Sequence, residues 1–300
     1  MTILYLTFGD KTEFHVQAYL SMLSFRRQMT AEDRIVMVTT APQLYWHMEE
    51  WVEIIAIGDE VIDAWQGEHH FFWRTKIKAI EHVSRRYPQD DILYLDCDTI
   101  LYGDINELKR PLAEGIGLMD ENEGHPSGMK TKTLRMWKTI AGRTYGGITL
   151  GRQHNMYRAG VVGIPHAKAP EVLTTALALC DGMLSDGAER IVIEQYSLSV
   201  ALFERVGLRE TYPVIAHYWA SKEYWIKAGM ELMARVLLTK ASPEEEMRMY
   251  EALDFSQLPI YVYRSNTARR LKGLVGRVFK DRNFKYIVQT SPAPILASLR

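Results

Sequence analysis

The sequence predicts an α/β domain in which a mixed, mostly parallel sheet is flanked by helices. Three observations carry the prediction. Short apolar strand-like runs alternate with stretches of helical period from the first residues onward. A hydrophobic fraction of 47% over 300 residues is that of an ordinary globular protein able to bury a full core. One apolar run, Ile92 to Leu95, passes directly into Asp96-Cys97-Asp98, and the carboxyl ends of strands are where open α/β sheets collect their ligands.

Thr2 to Phe8 reads as a buried strand, turned at Gly9-Asp10 into a helical stretch bearing Val16, Tyr19, Leu20 and Leu23. Ile35 to Val38 is the second strand, Ala41 to Trp51 a helix, and Val52 to Ile57 a third strand closed by Gly58-Asp59. A helix from Phe72 to Arg86 is stopped by Pro88 ahead of the Ile92 to Leu95 strand. Gly115 to Met119 is a further strand, and the polar, Gly- and Pro-bearing stretch Asp120 to Gly128 is expected to be a mobile loop. Gly142 to Gly151 carries four glycines and no Gly-Lys-Ser or Gly-Lys-Thr pair, so it reads as a flexible connector and not a P-loop. Ala159 to Ile164 is a strand, Glu171 to Leu184 and Val192 to Val206 are helices, and Pro213 to Ala216 is a last short strand ending in His217.

The net charge of −1 gives no reason to expect a nucleic-acid partner. Two cysteines, Cys97 and Cys180, are too few for a disulfide framework and point to a reducing compartment. No stretch approaches the ~20 apolar residues of a membrane span, and the expected location is cytoplasmic.

In a strand, residues i and i+2 point to the same side, so Asp96 and Asp98 can converge on one hard cation where the strand leaves the sheet. Such a cation would most naturally hold phosphates. With His217 far downstream, this order of features resembles the nucleotide-sugar-dependent glycosyltransferases of GT-A fold, in layout the bacterial galactosyltransferase and glycogenin group, over residues 1 to 225. The resemblance implies a GT-A (Rossmann-like) catalytic domain, assigned residues 1–255. It also implies a divalent metal, manganese with magnesium as its substitute, and a nucleotide-sugar donor, UDP-linked. Asp98 would then ligate the metal directly, Asp96 would share the metal and the ribose, His217 would complete the shell, and Lys222 would hold the diphosphate. The metal's value is electrostatic, because the departing diphosphate gains negative charge as the bond to the sugar carbon breaks.

Thr7, Phe8 and Gly9 match the place where the family grips base and ribose, and Arg74 on the preceding helix matches a basic residue facing the sugar nucleotide. Glu194 and Gln195 open a helix where the family has an acidic or amide pair near the reacting carbon. Glu194, Asp120 or Glu121 would be the base of an inverting reaction, and Gln195 would support the charged sugar of a retaining one. This chain departs from the pattern in having Arg158 at an asparagine position and no glycine between His217 and Lys222.

From Arg264 onward there are nine Lys or Arg against one acid, Asp281. Leu271, Leu274, Val275, Val278 and Phe279 fall on one helical face there. The segment 256–300 is therefore expected to be a basic amphipathic tail, which either lies on an anionic membrane surface, the inner face of the cytoplasmic membrane, or packs on the catalytic domain. The combined expectation is a hexosyltransferase acting on a cell-envelope glycan or lipid-linked acceptor. Two rivals stay open: a haloacid-dehalogenase-type phosphatase with Asp96 as nucleophile, and a sugar-nucleotide-binding protein without catalysis.

Overall fold

The chain opens with strand β1 (Thr2–Thr7), helix α1 (Thr12–Arg26), strands β2 (Arg34–Thr39) and β3 (Val52–Ala56), helices α2 (Asp59–Gln66) and α3 (Arg74–Arg86), and strand β4 (Ile92–Leu95). It continues through β5 (Thr99–Leu101), α4 (Asn106–Ala113), β6 (Gly117–Met119), β7 (Asn122–Gly124) and α5 (Lys132–Ile140). Next come β8 (Thr144–Tyr145), β9 (Ile148–Thr149), β10 (Met156–Tyr157), β11 (Val161–Ile164), α6 (Ala169–Ser185) and α7 (Ile193–Val206). The last elements are β12 (Leu208–Glu210), β13 (Ile215–His217), α8 (Lys222–Thr239) and α9 (Pro243–Glu251). This computed structural model describes residues 1–129, 131–212 and 214–261. The expected tail helix lies outside the described residues.

The main sheet has the order β12-β6-β11-β4-β1-β2-β3. Its pairings are parallel except those of β11, which runs antiparallel to both β4 and β6. The predicted α/β class, a mostly parallel sheet flanked by helices, is the architecture found. The central strands read as continuous apolar runs because both faces of the sheet are covered. Successive residues alternate between two cores: Ile3, Tyr5, Leu93 and Leu95 face α1, α4, α8 and α9, while Leu4, Leu6, Ile92 and Tyr94 face α2, α3, α5, α6 and α7. Against α1, Gly229 of α8 lets the helices approach so closely that an added Cβ would lie 2.5 Å from Val16 Cγ1. Glu246 of α9 accepts from Tyr19 at 2.7 Å and pairs with Arg26 at 2.9 Å, tying the last helix to the first.

Several expectations need correction. Residues Pro42–Met48 form a 3-10 helix in place of an α-helix. The stretch Asp120 to Gly128 is structured: β7 pairs antiparallel with β10, and Pro126–Gly128 makes a 3-10 turn. The glycine run at 142–151 contains the β8–β9 hairpin, with Gly146 and Gly147 at positive φ in its turn. The expected last strand is present as β13, which pairs with β5 outside the main sheet.

Candidate active site

Topology brings the site to one edge of the sheet. Asp96 follows the carboxyl end of β4 and Asp120 that of β6. Because β11 is reversed, it presents its beginning there, and Asp96 N–H donates to the carbonyl of Gly160 at 2.8 Å. The antiparallel pairing of β13 with β5 sets His217 opposite Thr99, and Tyr218 N–H donates to the carbonyl of Asp98 at 3.0 Å. Two segments far apart in sequence are thus held side by side by backbone hydrogen bonds.

Asp96, Asp98 and His217 each offer a ligand atom, and these atoms lie within 4.8 Å of one another. His217 Nδ1 is 2.7 Å from Asp120 Oδ2, and its Nε2 is 3.4 Å from Asp98 Oδ1. Burial alone would lower the basicity of the ring, but the bonds to Asp120 and Asp98 outweigh it and hold the pKa at about 10. Burial likewise acts to raise Asp98, yet His217 and Lys222, whose Nζ is 2.7 Å from Asp98 Oδ2, keep it well below the usual carboxylate range. Two carboxylates and an imidazole at this spacing suit a divalent cation of intermediate hardness, with Asp120 fixing the ring from behind. Positive charge from His217 and Lys222 rests on Asp98, and that of Lys76 on Asp96.

A cleft of about 450 Å³ opens in front of this cluster, lined by Phe8, Gly9, Phe72, Trp73, Asp98 and Lys222 among others. Gly9 sits at φ +65°, with its N–H bonded to Thr40 Oγ1 and open space where a Cβ would be. Thr7 borders the cleft but turns its buried hydroxyl to Thr39 Oγ1 at 2.8 Å. Phe8 meets Phe72 edge-on, with ring centroids 4.9 Å apart.

The basic residue of α3 at the site is Lys76, not Arg74. Arg74 makes a two-pronged pair with Asp181 of α6 at 2.8 and 3.0 Å and donates to the carbonyl of Trp65. Lys76 is buried, 3.1 Å from Asp96 Oδ1 and 3.0 Å from Glu194 Oε1, and donates to the carbonyl of Ala159 at 2.9 Å. Burial opposes its charge, but Asp96 and Glu194 raise its pKa above the usual lysine range. Burial raises Glu194 despite Lys76. Tyr94 donates its hydroxyl to Asp96 at 2.9 Å. Asp120, expected among the catalytic acids, is buried and engaged by His217. Gln195 donates to Glu123 at 2.8 Å, and Arg158 pairs with Glu121 at 2.7 Å and Glu123 at 3.1 Å.

Sequence reasoning sets Lys76 beside Arg74 on this helix and prefers Arg74, and it passes over the aromatic pair Phe72-Trp73. Lys76 carried a usable signal. With Ile80 and Val83 it forms an i, i+4, i+7 stripe, the face of α3 that is buried.

No protein-family model matches the chain, and no curated protein matches it in sequence. Solved structures do resemble it. The galactosyltransferase LgtC, in complex with donor and acceptor sugar analogs, is 12% identical over 92% of this chain and 96% of its own, with a TM-score of 0.44. Mouse xyloside xylosyltransferase 1 is 10% identical over 70% of this chain and 85% of its own, TM-score 0.44. The bifunctional glycosyltransferase WbbM is 11% identical over 70% of this chain, which spans only 39% of WbbM, TM-score 0.43. These neighbours are glycosyltransferases.

Proposed function

We propose that the protein transfers a sugar from a nucleotide-sugar donor to a hydroxyl acceptor with the help of a divalent cation. The observation that carries the reading is the convergence of Asp96, Asp98 and His217 at the carboxyl edge of the sheet, beside a cleft with Lys222 at its rim. The three residues would hold the cation, which when bound supplies positive charge against the leaving diphosphate. Lys222 is 41% exposed at its side chain, so it is free to exchange Asp98 for a phosphate oxygen. In the reaction the anomeric carbon loses its bond to the diphosphate oxygen and bonds the acceptor oxygen, while the hydroxyl proton passes to a base. Lys76 acts as a positioning residue, holding Asp96 and Glu194 in register with one another. Phe8, Phe72 and Trp73 offer an apolar wall for a nucleobase, and the nucleotide to test first is UDP, with manganese as the metal.

The test is a thermal-shift panel of UDP, GDP, CMP and their sugar conjugates, each with and without manganese. A ligand that binds only the folded state raises the melting temperature by mass action. A manganese-dependent shift with one nucleotide, abolished in Asp98→Ala, is the expected result. A flat panel for folded protein would overturn the proposal and turn attention to phosphate-ester substrates. Action on a cell-envelope or lipid-linked acceptor, and membrane attachment through residues 264–300, belong to the same proposal. The second is checked by whether a chain truncated at residue 263 leaves the membrane fraction.

A further inference from the structure

On the far side of His217 from the first cleft lies a second cavity of about 500 Å³, within the range of small-molecule sites. The imidazole divides the two: Asp98 and Lys222 line the first, Asp120 and His217 the second. The second cavity has an aromatic lining of Tyr102, Tyr212, Trp219 and Tyr261, each at least 44% exposed. Such rings gain by covering apolar surface, and nothing in the hydrophobic core requires them to stand here. Their positions are nonetheless fixed. Tyr102 donates its hydroxyl to the carbonyl of Tyr212 at 2.9 Å, and Trp219 meets Tyr261 edge-on at 6.1 Å. Trp225 Nε1 donates to the carbonyl of Pro259 at 3.0 Å and Ser221 to that of Ile260 at 2.8 Å, which anchors the segment carrying Tyr261.

The polar groups of this cavity are of a particular kind. Arg158 lies over Trp219, 5.7 Å from the ring centroid, and is already engaged by both Glu121 and Glu123. Asp120 is engaged by His217. Among the described residues, the lining therefore offers carboxylate and guanidinium edges for hydroxyl groups, but no cation free of a carboxylate partner to receive an anion. Glu123, behind Arg158, also accepts from Gln195, which links Arg158 of the lining to the candidate catalytic pair.

We propose that this second cavity seats a neutral sugar ring of the acceptor, its C–H face on Trp219 and the flanking tyrosines and its hydroxyls on Glu121 and Arg158. The assignment rests on the sugar-transfer reading for the word acceptor alone; the sugar site itself follows from the lining. The arrangement places the acceptor across the metal ligands from the nucleotide.

The experiment uses the full chain with UDP and manganese, and saturation-transfer NMR with the methyl β-glycosides of glucose, galactose and N-acetylglucosamine, with methyl β-glucuronide as the anionic comparison. At least one neutral glycoside is expected to receive saturation at its ring protons, and the glucuronide to bind more weakly. Trp219→Ala and Tyr212→Ala, both at exposed positions, are each expected to weaken the neutral glycoside about tenfold, with the nucleotide thermal shift unchanged. If the wild type shows the nucleotide shift but contacts no neutral glycoside, or if both variants bind as well as wild type, the second-cavity assignment falls and the donor reading stands. If glycoside binding is present and lost in the variants while no nucleotide shift exists, the transferase reading falls and the sugar site stands. Equal binding of the glucuronide overturns the neutral-ring assignment.

Discussion

Gly160→Ala tests the site through the backbone that supports it. Gly160 precedes β11, and its φ is not in the left-handed region, so alanine meets no backbone strain. Space is the constraint: an added Cβ would lie 2.3 Å from His217 Cε1 and 2.4 Å from Nδ1. Ordinary contact begins near 3.4 Å, so the ring must retreat by roughly 1 Å, more than a charge-assisted bond of 2.7 Å to Asp120 tolerates. Overpacking costs about 1–3 kcal/mol, and losing a hydrogen bond to a charged group about 1.5–3 kcal/mol, partly the same energy. A net loss of ~2–3 kcal/mol lowers the melting temperature by roughly 3–5 °C at this size. The discriminating readout is the manganese-induced shift, because displacing a ligand or its supporting hydrogen bond weakens metal binding about 10–100-fold. Gly163→Ala serves as control. Its Cβ would lie 2.7 Å from Leu118 Cβ, in the core and away from the site, so it should cost stability and leave the manganese response intact. If Gly160→Ala responds to manganese as wild type does, the assignment of His217 as a ligand is refuted.

Two other outcomes follow from the charges. Lys76→Met leaves the buried Glu194 carboxylate and Asp96 without their shared cation and should cost ~3–5 kcal/mol in denaturant unfolding; adding Glu194→Gln should restore part of that, and a double variant no better than the single one would show that the pairing is not what the lysine supplies. In chelator, His217 has a folded-state pKa raised from its ordinary 6.5 to about 10, so its stabilisation is complete below about pH 6.5 and is lost as pH rises through 10; His217→Gln should flatten the fall in stability between pH 7 and 10, and an unchanged slope would place the titration elsewhere.

The parts of this fold that the sequence discloses are those whose signal is local. β1, β4 and α7 announce themselves by apolar runs and helical period, and Asp96-Cys97-Asp98 declares itself by following an apolar strand. His217 was legible as a residue type in a suggestive order, but its contact with Asp98 depends on β13 pairing with β5, a two-stranded ladder that no local period encodes. The exchange of Arg74 for Lys76 has a similar origin. Residues two apart on a helix lie about 200° apart around its axis, so only the rotation of α3 against the sheet decides which cation turns inward. β7 was hidden because its partner, β10, lies more than thirty residues away and both strands are very short. Phe72 and Trp73, at the start of the expected helix, carry no local sign that they line the cleft.

The pairing of β13 with β5 also bears on how the protein is made. Its carboxylates leave the ribosome in the first third of the chain, and the imidazole that joins them arrives in the last third, followed by the lysine of α8. Loop closure of that span must precede any reward from the contact, which places completion of the ligand cluster late in folding. A nascent chain holding β1 to β4 would already own an apolar sheet and two adjacent acids, yet it would lack the geometry to capture a cation selectively. Competence to bind the proposed cation would thus wait for β13 to pair with β5, making metal uptake a report that the chain has folded at least through His217.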